Sequence, residues 1–326
     1  MSLTLLGRRP HLSPAELVEA LVPPPHFRDA SIESYRPDPD HPSQSAALKA
    51  AGGFAKRAAK RTRRGRKRAN AEGLYLDGGF GVGKTHLLVA IAREVGANAA
   101  FGTFVEYTNL VGALGFADAR EALSGYSVVC VDEFELDDPG DTLLMARLLR
   151  ELVEAGVAIA ASSNTPPGAL GDGRFAAQDF QREIQSLSGV FDVLRIDGPD
   201  YRHRHTDEFP PPATADAVAG VGEREDGAVV AFAELIEDIA RVHPSRYGAY
   251  VDGVAVLGVQ DVTTLDDQSQ ALRVVTLVDR LYDRDARIVA SGVPFDRLFS
   301  EAMLGGGYRK KYLRAQSRLV AMTTGQ

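Results

Sequence analysis

The sequence predicts a doubly wound α/β fold on a parallel sheet, and three observations predict it. The runs "GLYLD", "YSVVCVDEF" and "VAIAASSN" are continuously apolar, as strands buried on both faces must be. Segments with helical periodicity alternate with them, which is the rhythm of strand–helix–strand crossovers. The first run leads through a crowd of glycines, a lysine and a threonine directly into one of those helical segments.

Taken in order, "SPAELVEAL" reads as a helix with Ser13 as N-cap, and Pro-rich extended chain follows. "PSQSAALKAAGGFAKRAAKRTRRGRKR" reads as a helix with a candidate break at Gly52 and Gly53 and a basic second half. "GLYLD" is a short strand, and residues 85–94 a helix with Leu87, Leu88, Ile91 and Val95 on one face. "AAFGTFVEY" reads as strand, 110–123 as a weak helix, and "YSVVCVDEF" as a buried strand. Residues 141–155 are an amphipathic helix, and "VAIAASSN" and "FDVLRIDG" are two more strands. "HTDEFPPPATADAVAGVGERED" reads as a linker or an excursion. Beyond it "AVVAF", a helix over 232–242, "VDGVAVLGV", a helix over 269–282, "ARIVASG" and a final helical stretch repeat the rhythm. The organisation is therefore an N-terminal helical and extended segment (1–50), a basic helical stripe (51–70), an α/β core carrying the glycine loop (71–200), a linker or excursion (201–227) and a C-terminal α/β extension with a terminal helix (228–326). That extension has no glycine loop of its own.

An internal echo accompanies this rhythm. Shifted by 129 residues, "VDEFELDDPGDTLLMARLLRELVEAGVAIAASSN" lies over "QDVTTLDDQSQALRVVTLVDRLYDRDARIVASGV", with Asp132 on Asp261, Glu133 on Val262, Ser162 on Ser291 and Asn164 on Val293. Two readings stand at this point: a repeated unit, or two strand–helix–strand units that share only composition.

A chain of 326 residues, 44% hydrophobic and 25% charged, has ordinary globular composition, which excludes wholesale disorder. No apolar run approaches the roughly 20 residues of a membrane span, and the start lacks the order of a signal peptide. Cys130, alone in a buried strand, reads as an apolar filler. These features lead to the expectation of a cytoplasmic protein. The net charge is −7, yet residues 56–68 carry nine Lys or Arg and no acid, so the rest of the chain carries −16. No aromatic interleaves the basic stripe, so base stacking is not indicated. Contact with nucleic acid or anionic lipid through it stands beside a plain solvated face.

Gly78-Gly79-Phe80-Gly81-Val82-Gly83-Lys84-Thr85 fits G-x-x-x-x-G-K-[ST], and the predicted contact surface extends to His86. A triphosphate is a dense anion that needs several donors at once. Glycines let the backbone turn its N–H groups onto it, and the helix that follows adds the positive end of its dipole. Lys84 would reach the β- and γ-phosphates and Thr85 would ligate Mg²⁺, which makes ATP with Mg²⁺ the expected cofactor pair of a P-loop NTPase. Hydrolysis also needs a carboxylate for the metal and a base for water at the end of a neighbouring strand. "VVCVDEF" supplies Asp132 for the metal and Glu133 for the water. Asn164, ending "AIAASSN", is placed to sense the γ-phosphate or the attacking water. Arg174 and Arg182, just beyond, are the candidates for a transition-state cation lent to a neighbouring subunit. "RHRH" at 202–205 holds a His-x-His pair without further ligands nearby, so no metal site is assigned to it.

With these residues in place, the chain resembles the ZapE/Afg-type branch of the AAA+ ATPases over nearly its whole length. "YRPDPDHPSQ" is similar to the leading segment of that family, and "LYLDGGFGVGKTHLL" and "VVCVDEFELDD" to its two nucleotide motifs. "ASSNTPPGAL" resembles its sensor segment, "DGPDYRHR" its Asp-Tyr-Arg element, "RVVTLVDRLYDRDARIVASGVPFDRLF" its distal block, and "RAQSR" the Arg-x-x-Ser-Arg spacing of its terminal helix. The resemblance implies an AAA+ core with the sensor strand between the two nucleotide-motif strands, and Mg-ATP hydrolysis. It also implies an ATP-dependent homo-oligomer working on protein clients, with a division-ring protein or membrane-associated clients as the kinds its relatives serve. Location would then be cytoplasmic or peripheral at the inner face of the membrane. By position in the terminal helix, Arg314 or Arg318 is a candidate for reaching nucleotide. The wording "GVGKTHLL" is closer to replication-initiator and helicase-loader ATPases. Together with the basic stripe it keeps a nucleic-acid-associated loader as an alternative, and a non-hydrolysing nucleotide-dependent scaffold is a second.

Overall fold

The computed structural model describes residues 3–63, 72–79, 81–134, 139–165, 189, 191–199 and 209–324. The chain forms two compact bodies. One holds residues 13–23 and 27–204 and contains the glycine loop; the other holds 1–12, 24–26 and 205–326.

In the nucleotide body, α1 (Pro14–Glu19) opens on a capping box in which the Ser13 hydroxyl accepts from the Glu16 N–H. The long α2 (Pro42–Arg63) runs straight through Gly52 and Gly53, where the sequence suggested a break. Each glycine costs a helix about 1 kcal/mol against alanine. Here the buried face formed by Ala47, Ala51, Phe54, Ala55 and Ala58 holds the helix together across them. β1 (Gly73–Gly78) passes through the loop into α3 (Lys84–Val95). β2 (Ala99–Thr103) is shorter than "AAFGTFVEY" suggested. Thr103 and Glu106 form a capping box, the Glu106 carboxylate accepting from the Thr103 N–H at 2.7 Å, and this starts α4 (Phe104–Leu114) where an extended chain was expected. Gly115, at φ +81°, then separates α4 from α5 (Phe116–Ser124), so 110–123 is not one helix. β3 (Val128–Asp132), α6 (Pro139–Glu154), β4 (Ala158–Ser163) and β5 (Phe191–Ile196) complete the body.

Among the described residues its strands form a parallel sheet in the order β2-β3-β4-β1-β5. The sensor strand β4 lies between β3 and β1, as the resemblance implied. Period-two alternation divides the core between the faces. Tyr75, Val129, Val131, Ile159 and Ala161 pack with α4, α5 and α6. Leu74, Leu76, Cys130, Ala158 and Ala160 pack with α2 and α3. Helices thus cover both faces, which is the doubly wound arrangement. Burial, with Asp132 nearby, pushes the Cys130 thiol well above its ordinary value, so it stays protonated and inert.

The C-terminal body contains α7 (Ala215–Gly220), β6 (Gly227–Ala231), α8 (Phe232–Ala240), α9 (Tyr247–Tyr250), β7 (Val256–Val262), α10 (Gln268–Tyr282), β8 (Arg287–Gly292), α11 (Glu301–Leu304) and α12 (Arg309–Thr324). Its sheet is parallel in the order β6-β7-β8 over one continuous core. The 1–50 segment does not act as one unit. Leu5 lies in the C-terminal core and Leu3 N–H bonds Gly227 O at 2.8 Å, whereas Leu21 packs in the nucleotide body and its carbonyl accepts from Phe101 N–H at 2.9 Å.

The echo recurs in the pairing register. Ala99 pairs Val128 in one sheet and Gly227 pairs Val256 in the other, both members moved by 128. Val128 pairs Ala158 and Val256 pairs Arg287, a shift of 128 on one side and 129 on the other. The chain between the two strands is thus one residue longer in the second copy, and this corrects the alignment at the strand end. Asp261 occupies the place of Glu133, not of Asp132, and Gln260 stands where Asp132 does.

Candidate functional site

The site forms at the C-terminal ends of β1, β3 and β4. Glycine is required at two loop positions for stated reasons. A Cβ on Gly78 would sit 2.3 Å from Ile196 O, and Gly83 adopts φ +90° with its Cβ position 2.6 Å from the Tyr35 ring. Tyr35 braces the loop from outside: its hydroxyl donates to Val82 O at 3.1 Å. His86, in the first turn of α3, meets Ser31 O at 3.0 Å and Ser34 Oγ at 3.1 Å and lies edge-on to Tyr35. Burial depresses the His86 pKa even though the Ser31 carbonyl opposes this, so the ring is neutral at physiological pH. The leading segment that contains Tyr35 is therefore part of the loop's support, a role that motif matching on the loop does not reveal.

Lys84 is buried, and its ammonium donates to Gly78 O at 2.9 Å, to Gly79 O, and to Asn164 Oδ1 at 2.9 Å. The Thr85 hydroxyl donates to Asp132 at 3.0 Å (Oδ2) and 3.2 Å (Oδ1). Lys84, Thr85, Asp132 and Asn164, from three separated stretches of sequence, are thus brought together. Glu133 follows Asp132 with φ +54°, an uncommon conformation for a residue with a side chain. Two bonds fix that turn over the end of β4: Glu133 N–H to Ser162 Oγ at 3.2 Å and Phe134 N–H to Ser162 O at 2.7 Å. Phe134 anchors it, buried edge-on to Tyr75 and Phe104. Ser162 was not singled out from sequence; the available signal was a polar pair, Ser162-Ser163, closing an otherwise apolar strand.

Thr85 and Asp132 together offer hard oxygen donors within hydrogen-bonding distance of each other, which is the donor chemistry Mg²⁺ prefers. Glu133 completes the acidic end of β3. Phe80, Arg174 and Arg182, and the Asp-Tyr-Arg and His-x-His stretches, lie outside the described residues.

Arg314 and Arg318 have a clear setting inside the C-terminal body. Both pair with Asp279 of the "LVDRLYD" block, Arg314 at 2.9 Å, and the Arg318 guanidinium lies 5.1 Å from the centre of the Tyr282 ring. Burial alone would raise the Asp279 pKa, but the two arginines outweigh it and hold the carboxyl below its ordinary range. The terminal helix and the distal block are therefore tied through one carboxylate. Among the described residues no helix is long and apolar enough to cross a membrane.

Comparison with known proteins identifies the family. Among curated relatives, Cell division protein ZapE of Escherichia coli K12 is 26% identical over 301 residues, covering 78% of this chain and 79% of that protein. Lactation elevated protein 1 homolog B of Danio rerio is 25% identical over 231 residues, covering 59% of this chain and 45% of that one. Solved structures that overlap include DnaI, at 20% identity and TM-score 0.42 over 56% of this chain and 97% of that one. Another is the replication initiator DnaA bound to AMPPCP and single-stranded DNA, at 12% and 0.42 over 78% of this chain and 82% of that one. The profile of the AFG1-like ATPases matches residues 12–220 and 215–326. A match of that extent places the chain in the AFG1-like ATPase family, and the protein is an AAA+ ATPase.

Proposed function

We propose that this ATPase hydrolyses Mg-ATP between the ends of β1, β3 and β4 and uses the energy to remodel protein partners. The observation that carries the first half is the convergence of Lys84, Thr85, Asp132 and Asn164 through direct side-chain hydrogen bonds, with Glu133 presented beside them. Loop N–H groups from Gly78 to Thr85 cradle the phosphates, and His86 keeps the first turn of α3 seated. Lys84 exchanges its carbonyl and amide partners for phosphate oxygens. Thr85 and Asp132 would hold Mg²⁺, which would supply charge neutralisation of the phosphates. Glu133 orients the attacking water and accepts its proton as the terminal P–O bond to ADP breaks. Asn164 senses the γ-phosphate through its position beside Lys84. Arg174 or Arg182 supplies a cation to a neighbouring subunit, whereas Arg314 and Arg318 are engaged by Asp279 within the C-terminal body.

The test is a pair of variants. Glu133→Gln should bind ATP with near-normal affinity while turnover falls by about 10²–10⁴, and Lys84→Ala should fail to bind. Full turnover by Glu133→Gln would remove Glu133 from the role given to it, and retained binding by Lys84→Ala would do the same for the lysine.

For the client, the relative described as a cell division protein supports a protein partner at the division apparatus, met in the cytoplasm or at the inner face of the membrane. A homo-oligomer assembled by ATP would appear as an ATP-dependent size increase of Glu133→Gln in solution. A second reading, a loader acting on nucleic acid, rests on the exposed Lys56, Arg57 and Lys60 at the start of the basic stripe. Arg57 already pairs with Glu72 at 2.6 Å, which lowers the free charge there. DNA binding that falls steeply with salt would favour this reading, and none at low salt would end it. Vesicles of anionic lipid test the same stripe for membrane contact.

A further inference from the structure

We propose that Ser162 is a positioning residue for hydrolysis, holding the metal-binding carboxylate and the water-orienting residue in one frame. The inference rests on the assignment of Asp132 and Glu133 above. The Ser162 hydroxyl donates its proton to Asp132 Oδ1, and the same oxygen accepts the Glu133 N–H at 3.2 Å. Ser162 is buried at the end of β4 and leaves the hydroxyl no solvent partner to exchange for these two. A single oxygen therefore joins two neighbouring residues with different duties. It fixes the rotation of the Asp132 carboxylate, and it supports the backbone of Glu133 in its left-handed conformation.

The C-terminal body supplies an internal control. Asp261 adopts φ +55° and its N–H bonds Ser291 Oγ at 3.1 Å, so the serine-to-backbone half of the device is common to both turns. The serine-to-carboxylate half belongs to the nucleotide body, where Asp132 occupies the position that Gln260 holds in the other. The shared half is a means of building the turn. The added bond is what aims the metal ligand.

Removing the hydroxyl should therefore lower kcat and metal affinity without touching the cradle. In Ser162→Ala we expect kcat to fall by about tenfold or more and the half-saturating Mg²⁺ concentration to rise by a similar factor, as for other residues that orient metal ligands. ATP affinity measured in EDTA should stay within about twofold, because Lys84 and the loop are untouched. Ser162→Thr, which keeps the hydroxyl, should restore both quantities, and Ser162→Cys, a weaker donor, should fall between. Ser291→Ala should lower the melting temperature and leave kcat and the Mg²⁺ requirement unchanged. Because the cysteine and threonine variants preserve volume or hydroxyl, their order Ala < Cys < Thr tests the idea even if the alanine variant is poorly folded. An unchanged kcat and Mg²⁺ requirement in Ser162→Ala, or failure of the threonine to rescue, would overturn the proposal. If Glu133→Gln is inactive in the same assay while Ser162→Ala is not, the positioning role fails and the hydrolytic assignment survives. If Glu133→Gln is fully active, it is the assignment that fails.

Discussion

Glu133 and Asp261 occupy the same turn in two different bodies. Glu133 directly follows β3 and Asp261 lies at the irregular C-terminal end of β7; each has φ near +55°, and each donates its N–H to a serine hydroxyl on the next strand. The strands around them pair in the same register. Yet only one turn is surrounded by the chemistry of hydrolysis. In the nucleotide body the neighbouring residues are Asp132, Asn164, Lys84 and Thr85; in the C-terminal body Gln260 replaces the first, Val293 stands in the place of Asn164, and among the described residues no glycine loop enters its sheet. The turn geometry is therefore supplied by the fold, and the site is made by what β1 and its loop add beside it.

The comparison can be broken most severely through the C-terminal body's own central charge. Asp279→Asn removes the carboxylate that both Arg314 and Arg318 pair with, and we expect a loss of about 3–5 kcal/mol, the cost of breaking a buried ion pair. Calorimetry should show this body melting earlier, with ATP affinity of the nucleotide body retained. The same pair sets an acid limit. The Asp279 pKa is depressed in the folded protein, so its stabilisation is complete above the ordinary carboxylate value of 3.8 and is lost as pH falls below it through the folded value.

Gly83→Ala sharpens the contrast on the other side. The new Cβ would meet the Tyr35 ring at 2.6 Å from a φ of +90°, and about 1–3 kcal/mol of strain should appear as a roughly 5- to 150-fold loss of nucleotide affinity. Titration with a fluorescent ATP analogue checks it, and unchanged affinity would mean the loop relaxes elsewhere. Tyr35→Phe is the milder form: it removes the bond to Val82 O and should cost about 0.5–1.5 kcal/mol of stability. The smallest effect expected is a pH dependence through His86. Its pKa is lowered on folding, so the stability it contributes is full above 6.5 and declines as pH falls from there toward the folded value. Melting temperatures across that window, in wild type and His86→Gln, would show the slope flattening in the variant.

Much of this was legible in the sequence because the signals are local. Apolar runs point to the buried strands, the glycine spacing points to the loop, and the polar residues ending the runs, Asp132, Glu133 and Asn164, stand at the candidate site the structure assembles. The misread elements depend on contacts that periodicity does not contain. Gly52 and Gly53 look like a break until the alanine face of α2 is seen to be packed, and "AAFGTFVEY" looks extended until Glu106 reaches back to cap Thr103. The echo is out of step by one residue at β7 because the difference in length falls between β7 and β8, where composition alone cannot place it. The roles of Tyr35 and Ser162 rest on contacts of the same kind: one supports the loop from 47 residues away and the other joins Asp132 from 30 away.

The most direct test of the account is to measure ATP turnover and ATP binding side by side in Glu133→Gln and Asp261→Asn. The two variants make the same chemical change, carboxylate to amide, at equivalent turns. The account predicts that Glu133→Gln binds ATP and loses at least about 100-fold in kcat, while Asp261→Asn stays within about twofold of wild type in both. Full turnover by Glu133→Gln, or a comparable loss in Asp261→Asn, would contradict it.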